Sequence, residues 1–327
     1  MGVARRPRAI ARGSARTVVL AVALACALPG CGSGDETAAS TAQEAAVPAS
    51  AAAAAAAGPL APVASVNRFS GPRAFALLRE QVEDYGWRPA GSMELRRLAV
   101  RLRGLMPRGR FEAVPGHPRL RNIVGSVPGR MPAIVVGAHY DVEAEPQGFV
   151  GANDGAAGTA AVVTLARAFA GAPRPRNARA LRFVLFDGEE EPAGCTDFVK
   201  CGIRGSTAYA KRHASETRAL VLLDYIAEKQ GLRFAREGGS DAGLWARLRS
   251  AARAVGVGAL FPAATSGQIL DDHTPFTQRG VRAIDLIDFD YPQRDSLDDN
   301  LDAVSERSLD AVGEAVFRLV ATLRRPG

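Results

Sequence analysis

Three runs of branched and aromatic residues in this chain end in side chains that bind cations. "AIVVGAHYD" ends in His139 with Asp141 two residues on, "RFVLFDGEEE" in Asp187, Glu189, Glu190 and Glu191, and "LVLLDYI" carries Asp224 within an apolar run. Between the first two, "GFVGANDGAAG" sets Asp154 in a glycine-rich turn before a helical pattern. Taken singly these residues have ordinary readings: His139 as a core histidine, Asp154 as a helix cap, the glutamates as a solvated turn. Gathered at strand ends, however, the carboxylates would repel one another and lose their hydration. A dication removes both costs, and imidazole with carboxylates is a zinc donor set.

These groups need elements to position them, and hydrophobic periodicity supplies them. Helical patterns run over 72–85, with Phe75, Leu78 and Val82 on one face, and over 92–105, with Leu95, Leu98, Leu102 and Leu105. Short β-rich runs follow at 122–127, 133–139, 180–187, 219–226 and 283–290, several of them apolar almost throughout, as in strands covered on both faces. Helical segments at 155–170, 205–212, 241–255, 274–279 and 305–323 fall between and after them. Alternation of this kind predicts an α/β fold: one domain of three α/β/α layers around a mixed, mostly parallel central sheet. Ligands in such folds sit at the carboxyl ends of the strands, where the cation-binding side chains fall.

The formal charge of +7 is concentrated at the start, where Arg5, Arg6, Arg8, Arg12 and Arg16 lie close to the apolar stretch "TVVLAVALACAL". Without residues 1–30 there are 36 basic against 34 acidic residues, which removes the electrostatic case for a nucleic-acid partner. That order of basic, apolar and small residues is a secretory leader, too short to span a bilayer comfortably. "LPGC" resembles a lipobox, so Cys31 is expected to be lipidated, and the lipid is the only expected attachment to a membrane. The expected organisation is a signal peptide over 1–30, lipidated Cys31 with an Ala-rich tether over 31–66, and a catalytic domain over 67–327, exported as a cell-envelope lipoprotein or, with ordinary signal cleavage, secreted. Cys195 and Cys201 would close a local disulfide in that compartment.

In several motifs, in order, the chain from about Asn122 to Leu319 resembles the secreted zinc exopeptidases with a two-metal centre, the twenty-eighth metallopeptidase family, which also includes the animal glutaminyl cyclases. The carriers are "VVGAHYDV", "GANDGAAGTAAVVTLARAF", "LRFVLFDGEE", "GSTAYA", "LLDYI" and "DDHTPFTQRGV". The resemblance implies that His139 and Asp224 bind one zinc ion, Glu190 binds a second, and Asp154 bridges both, with Glu189 as the general base. It places Asp141 as the group orienting the His139 imidazole, and it gives Asp271, in the segment with Asp272 and His273, the position of an active-site acid of the cyclases.

The loop "YPQRDSLDDN", residues 291–300, departs from that pattern, because Asp295 stands where the family has its last histidine ligand and Arg294 where it has an aromatic residue. Three readings follow. Asp295 binds the second cation as a carboxylate, with Arg294 offsetting the charge; His273 swings in as a substitute; or the second cation is lost and one remains. The leading functional expectation is an exported metallo-aminopeptidase, a hydrolase acting on peptide substrates. Its rivals are a glutaminyl-peptide cyclase and a metal-binding surface lipoprotein without activity.

Overall fold

The parallel part of the sheet follows from its sequence. In the computed structural model, which describes residues 58–195 and 197–325, the apolar runs become β3 (Arg130–His139), β4 (Arg179–Phe186), β5 (Thr217–Asp224) and β6 (Arg282–Ile287). Two further strands, β1 (Arg110–Val114) and β2 (His117–Val127), complete one six-stranded sheet in the order β1-β2-β4-β3-β5-β6. β4, β3, β5 and β6 run parallel, whereas β1–β2 and β2–β4 are antiparallel. The mixed, mostly parallel sheet expected from the alternation is thus present.

The helices are α1 (Gly71–Glu80), α2 (Met93–Leu105), α3 (Gly158–Gly171), α4 (Phe198–Cys201), α5 (Arg204–His213), α6 (Ala242–Ala254), α7 (Thr274–Thr277) and α8 (Glu306–Leu323). Because successive strand residues point to opposite faces, Val136, Leu185, Val221 and Leu223 join α1, α2, α3, α6 and α8 in the larger core, while Val135, Val184 and Leu222 join α5 and α7 in the smaller. Side-chain caps fix where several helices begin: Ser92 accepts from the Leu95 N–H, Asp241 from Leu244 and Ser305 from Ser308.

Differences from the expected elements have local causes. The stretch expected as a helix from 155 begins as α3 at Gly158, because Asp154 (φ −83°, ψ 106°) and Gly155 (φ +83°) leave helical geometry. The strand expected to 226 ends at Asp224, because Tyr225 turns left-handed at φ +46°. β1 had no sequence expectation. The leader and Cys31 lie outside the described residues, as does most of the tether. Its last residues are not free of the domain: Ala61 is buried, the Gly231 N–H donates to Pro59 and the Ser65 N–H to Val255.

Candidate metal centre

Parallel strands put their carboxyl ends on one edge, and there β3 delivers His139, β5 Asp224, and the turn after β4 Glu189 and Glu190. Asp154 arrives from the turn between β3 and α3. Gly155 is required there: a Cβ on it would lie 2.6 Å from the Asp141 carbonyl oxygen and 3.3 Å from His139 Cε1.

The side chains converge on His139. Its Nε2 lies 3.1 Å from Asp154 Oδ1 and 3.3 Å from Asp224 Oδ1, and its Nδ1 lies 3.9 Å from Glu189 Oε2. His139, Asp154 and Asp224 form one group with ligand atoms within 4.8 Å of one another, and His139, Glu189 and Glu190 form another. All five are buried. Burial pushes the Glu189 and Glu190 carboxyls well above the usual range, His139 opposing it and neighbouring carboxylates adding to it. Burial likewise raises Asp224, against the pull of His139. At His139 burial disfavours the charge, but Asp154 and Asp224 outweigh it and hold the imidazole well above its ordinary value. Buried carboxylates pressed this close need positive charge, and one nitrogen with two oxygens gathered within 4.8 Å fits zinc.

Asp141 does something other than orient His139. It lies 3.9 Å from His139 Nδ1, beyond hydrogen-bond reach, and its two oxygens accept the N–H groups of Glu189 and Glu190 at 3.2 Å each. It thereby clamps the turn that carries both glutamates. Asp187, at the same strand end, accepts from the Arg121 N–H and the Tyr140 hydroxyl, which makes it part of the scaffold.

Asp295 is placed differently from the other expected ligands. Its side chain is 46% exposed, and it does not gather with Asp154 and Glu190 into a metal-sized group among the described residues. Its Oδ1 lies 3.2 Å from the Tyr225 hydroxyl, which donates to Asp154 Oδ2 at 2.8 Å. Tyr225 and Asp295 both have positive φ, +46° and +56°, a conformation that costs a non-glycine residue about 1–3 kcal/mol. Arg294 stacks its guanidinium over Phe289, 3.9 Å from the ring centroid, with Nε 3.7 Å from Asp295 Oδ2. His273 does not swing in as a substitute ligand: its nitrogens face Glu237 and Asp285, at 3.4 and 3.5 Å. Asp271 and Asp272 are buried, and Asp271 reaches the cleft.

Three contributors gave no signal as site residues in the sequence. Tyr225 is one. Asp299, in the acidic loop, accepts the Asn153 and Asp154 N–H groups at 2.9 and 3.0 Å and the Tyr291 hydroxyl at 2.9 Å. Arg88, fully buried upstream of the motifs, donates to the carbonyls of Gly86, Val150 and Gly151. Burial brings its guanidinium down to about 10, and Asp154, Asp299 and Asp141 oppose that fall.

The site opens into a cleft of about 390 Å³. Its lining includes the apolar Phe198, Ile269, Leu270, Ile287 and Phe289, while Glu143 and Glu191 add acid. Burial, with Asp154, Asp295 and Glu191, brings Glu143 up to about 8. A larger hollow of about 540 Å³ near α1 lacks any comparable set of metal donors. A disulfide joins Cys195, in the loop after Glu191, to Cys201 at the end of α4.

Residues 122–320 match the model of Peptidase family M28. None of the curated proteins matches the chain in sequence. Among solved structures, the chain is similar to a glutaminyl cyclase of Porphyromonas gingivalis, at 25% identity and TM-score 0.69, covering 79% of this chain and 100% of that one. It is similar also to a leucine aminopeptidase precursor of Bacteroides thetaiotaomicron, at 23% identity and TM-score 0.68, covering 79% and 99%. A Zn-dependent exopeptidase of Parabacteroides distasonis aligns at 23% identity and TM-score 0.67, over 78% and 99%.

Proposed function

The chain belongs to peptidase family M28, and from that premise we propose that it is an exported zinc aminopeptidase that hydrolyses N-terminal residues from peptides. The observation that carries this reading is the convergence of His139, Asp154 and Asp224 in an open cleft, with the Glu189 carboxylate 3.9 Å from His139. His139, Asp154 and Asp224 would hold the zinc, with Glu190 beside them. Zinc, when bound there, polarises a peptide carbonyl and makes water more acidic. Glu189 has no hydrogen bond to its carboxylate among the described residues, so it is free to take a proton from the attacking water and return it to the leaving amine. Asp141 keeps Glu189 in place through the backbone. The apolar lining receives an apolar side chain, Glu191 lies where it can face the substrate ammonium, and Glu143, held up to about 8, offers that ammonium a neutral hydrogen-bonding carboxyl near pH 7.

We place one cation in this cleft. In a two-cation arrangement Asp154 would offer Oδ2 to the second ion, with Glu190 and the residue at position 295. Here Oδ2 accepts the Tyr225 hydroxyl, and Asp295 contacts the same hydroxyl. Export and the lipid at Cys31 belong to the same proposal and rest on the leader's residue order.

The cyclase reading has its own observation, Asp271 at the cleft. Its zinc would sit at Asp154, Glu190 and Asp295, and these three do not converge among the described residues. Mass spectrometry of mixed peptides, some beginning with glutamine, after incubation with the zinc-loaded chain separates the two. Stepwise loss of N-terminal residues, absent with Glu189→Gln, is the expected result. Loss of ammonia from glutamine-led peptides alone would replace the aminopeptidase with a cyclase, and unchanged peptides would remove both.

A further inference from the structure

Behind the cleft floor lies a second histidine ringed by acids. Asp285, in the middle of β6, and Glu237 are fully enclosed, and His273 and Asp271 are 1% and 3% exposed. The flanking carboxylates are anchored on one side at most. Glu237 Oε2 accepts the Gly239 N–H at 2.6 Å, while its Oε1 faces His273 Nε2 at 3.4 Å without a hydrogen bond. Asp271 Oδ1 accepts the Asp272 N–H, while its Oδ2 has no partner. Both oxygens of Asp285 are unpartnered, as is His273 Nδ1, which lies 3.5 Å from Asp285 Oδ2. Gly239 leaves room for the imidazole: a Cβ there would stand 3.1 Å from Nε2.

Burial and the neighbouring Asp271 raise the Asp285 carboxyl well above its usual range, so a retained proton quiets part of this charge; two arrangements would answer it with a cation. An imidazolium shared between Glu237 and Asp285 would draw them to about 2.7–2.9 Å, the range of charge-assisted hydrogen bonds. The separations of 3.4 and 3.5 Å are longer. That arrangement also leaves the inward oxygens of Asp271 and Asp285 unmatched, which is costly for buried anions. Donor atoms around a tetrahedral zinc-sized ion, bonded at about 2.0–2.2 Å, lie about 3.3–3.6 Å apart. The distance from His273 Nδ1 to Asp285 Oδ2 falls in that interval, and Asp271, His273 and Asp285 together offer donors within 4.8 Å of one another. Glu237, on the far nitrogen, then has the position of the carboxylate that fixes a metal-bound imidazole by accepting its other N–H.

We propose that Asp271, His273 and Asp285 form an enclosed binding site for a divalent cation of zinc's class, with Glu237 as the positioning residue for His273. The site is separate from the cleft group of His139, Asp154 and Asp224, and it shares no residue with it. It would tie the loop carrying Asp271, which lines the cleft, to β6. A chain with this site and one cleft cation binds two zinc ions, so a count of two does not by itself describe the cleft.

The test is equilibrium dialysis of the full chain against Zn²⁺, followed by elemental analysis, with folding checked by circular dichroism. Asp154→Asn with Asp224→Asn, which disables the cleft group, is expected to retain one zinc per chain, and adding Asp285→Asn is expected to remove it. A cleft-disabled chain without zinc, or an Asp285→Asn chain with an undiminished count, overturns the proposal. Should these variants fail to fold, crystals of the unchanged chain soaked in Zn²⁺ decide by anomalous scattering. A peak between His273 Nδ1, Asp271 and Asp285 supports the site, and its absence there overturns it.

Discussion

The two oxygens of Asp154 lead into opposite kinds of environment. On the Oδ1 side a single imidazole nitrogen, His139 Nε2, stands between two carboxylates, 3.1 Å from Asp154 and 3.3 Å from Asp224, so one donor is shared where a cation would face all three. On the Oδ2 side the partner is a phenol hydroxyl, and the carboxylate beyond it is half open to solvent. The difference teaches that family position alone does not make a ligand. A carboxylate serves when its neighbours leave its charge unanswered, and Tyr225 has answered it on one side.

The experiments that press on this contrast run from large effects to small. Glu189→Gln should lower peptide turnover by about 10²–10⁴-fold, the usual weight of a general base, while zinc content stays unchanged. Loss of zinc in that variant would make Glu189 a ligand instead. Asp224→Asn should weaken zinc binding by more than about 100-fold, measured by competition with a chelator, since it removes a donor and not a supporting group. Asp299→Asn, which weakens the acceptor for the Asn153 and Asp154 N–H groups, should cost about 10-fold in the same assay.

Protons give another handle. His139 and Glu190 are held above their ordinary pKa values in the metal-free protein, His139 by carboxylates that outweigh burial and Glu190 by burial first. They must give up protons to a cation, so zinc binding should release protons and weaken as pH falls. Calorimetry in buffers of different ionisation enthalpy reads the release. The smallest effect concerns the Oδ2 side itself. Tyr225→Phe should cost about 1 kcal/mol of stability through the lost hydrogen bond. Asp295→His alone should leave the zinc count as it was, and only together with Tyr225→Phe should it add a cation. A gain from Asp295→His alone would show that the hydroxyl does not hold the position.

Much of the fold was readable because β3, β4 and β5 are buried along most of their length and are apolar toward their carboxyl ends, where His139, Asp187 and Asp224 stand out as interruptions. The glycine-rich approach to Asp154 was readable for a related reason, since Gly155 occupies a position no other residue fits well. Asp299 and Tyr225 were not readable as site residues. Their contacts reach across 145 and 71 positions of chain, and an aspartate in an acidic run or a tyrosine after a strand has nothing local to distinguish it. β1 is short and half exposed, so its pattern is weak. Asp295 was readable as a departure, but whether it reached the cation depended on a hydroxyl contributed by another strand end.

Arg88 bears on what can be moved from one protein to another. The segment matching the family begins at 122, yet this guanidinium, from the stretch between α1 and α2, holds the carbonyls of Val150 and Gly151 and places a positive charge beneath Asp154. Gln81, in the same stretch, donates to the Ala156 carbonyl. The matching segment is therefore not a transplantable cassette. A chimera that grafts 122–320 behind a foreign upstream segment would inherit every expected ligand but lose the counter-charge beneath them, and its fitness would hinge on an arginine that no motif includes.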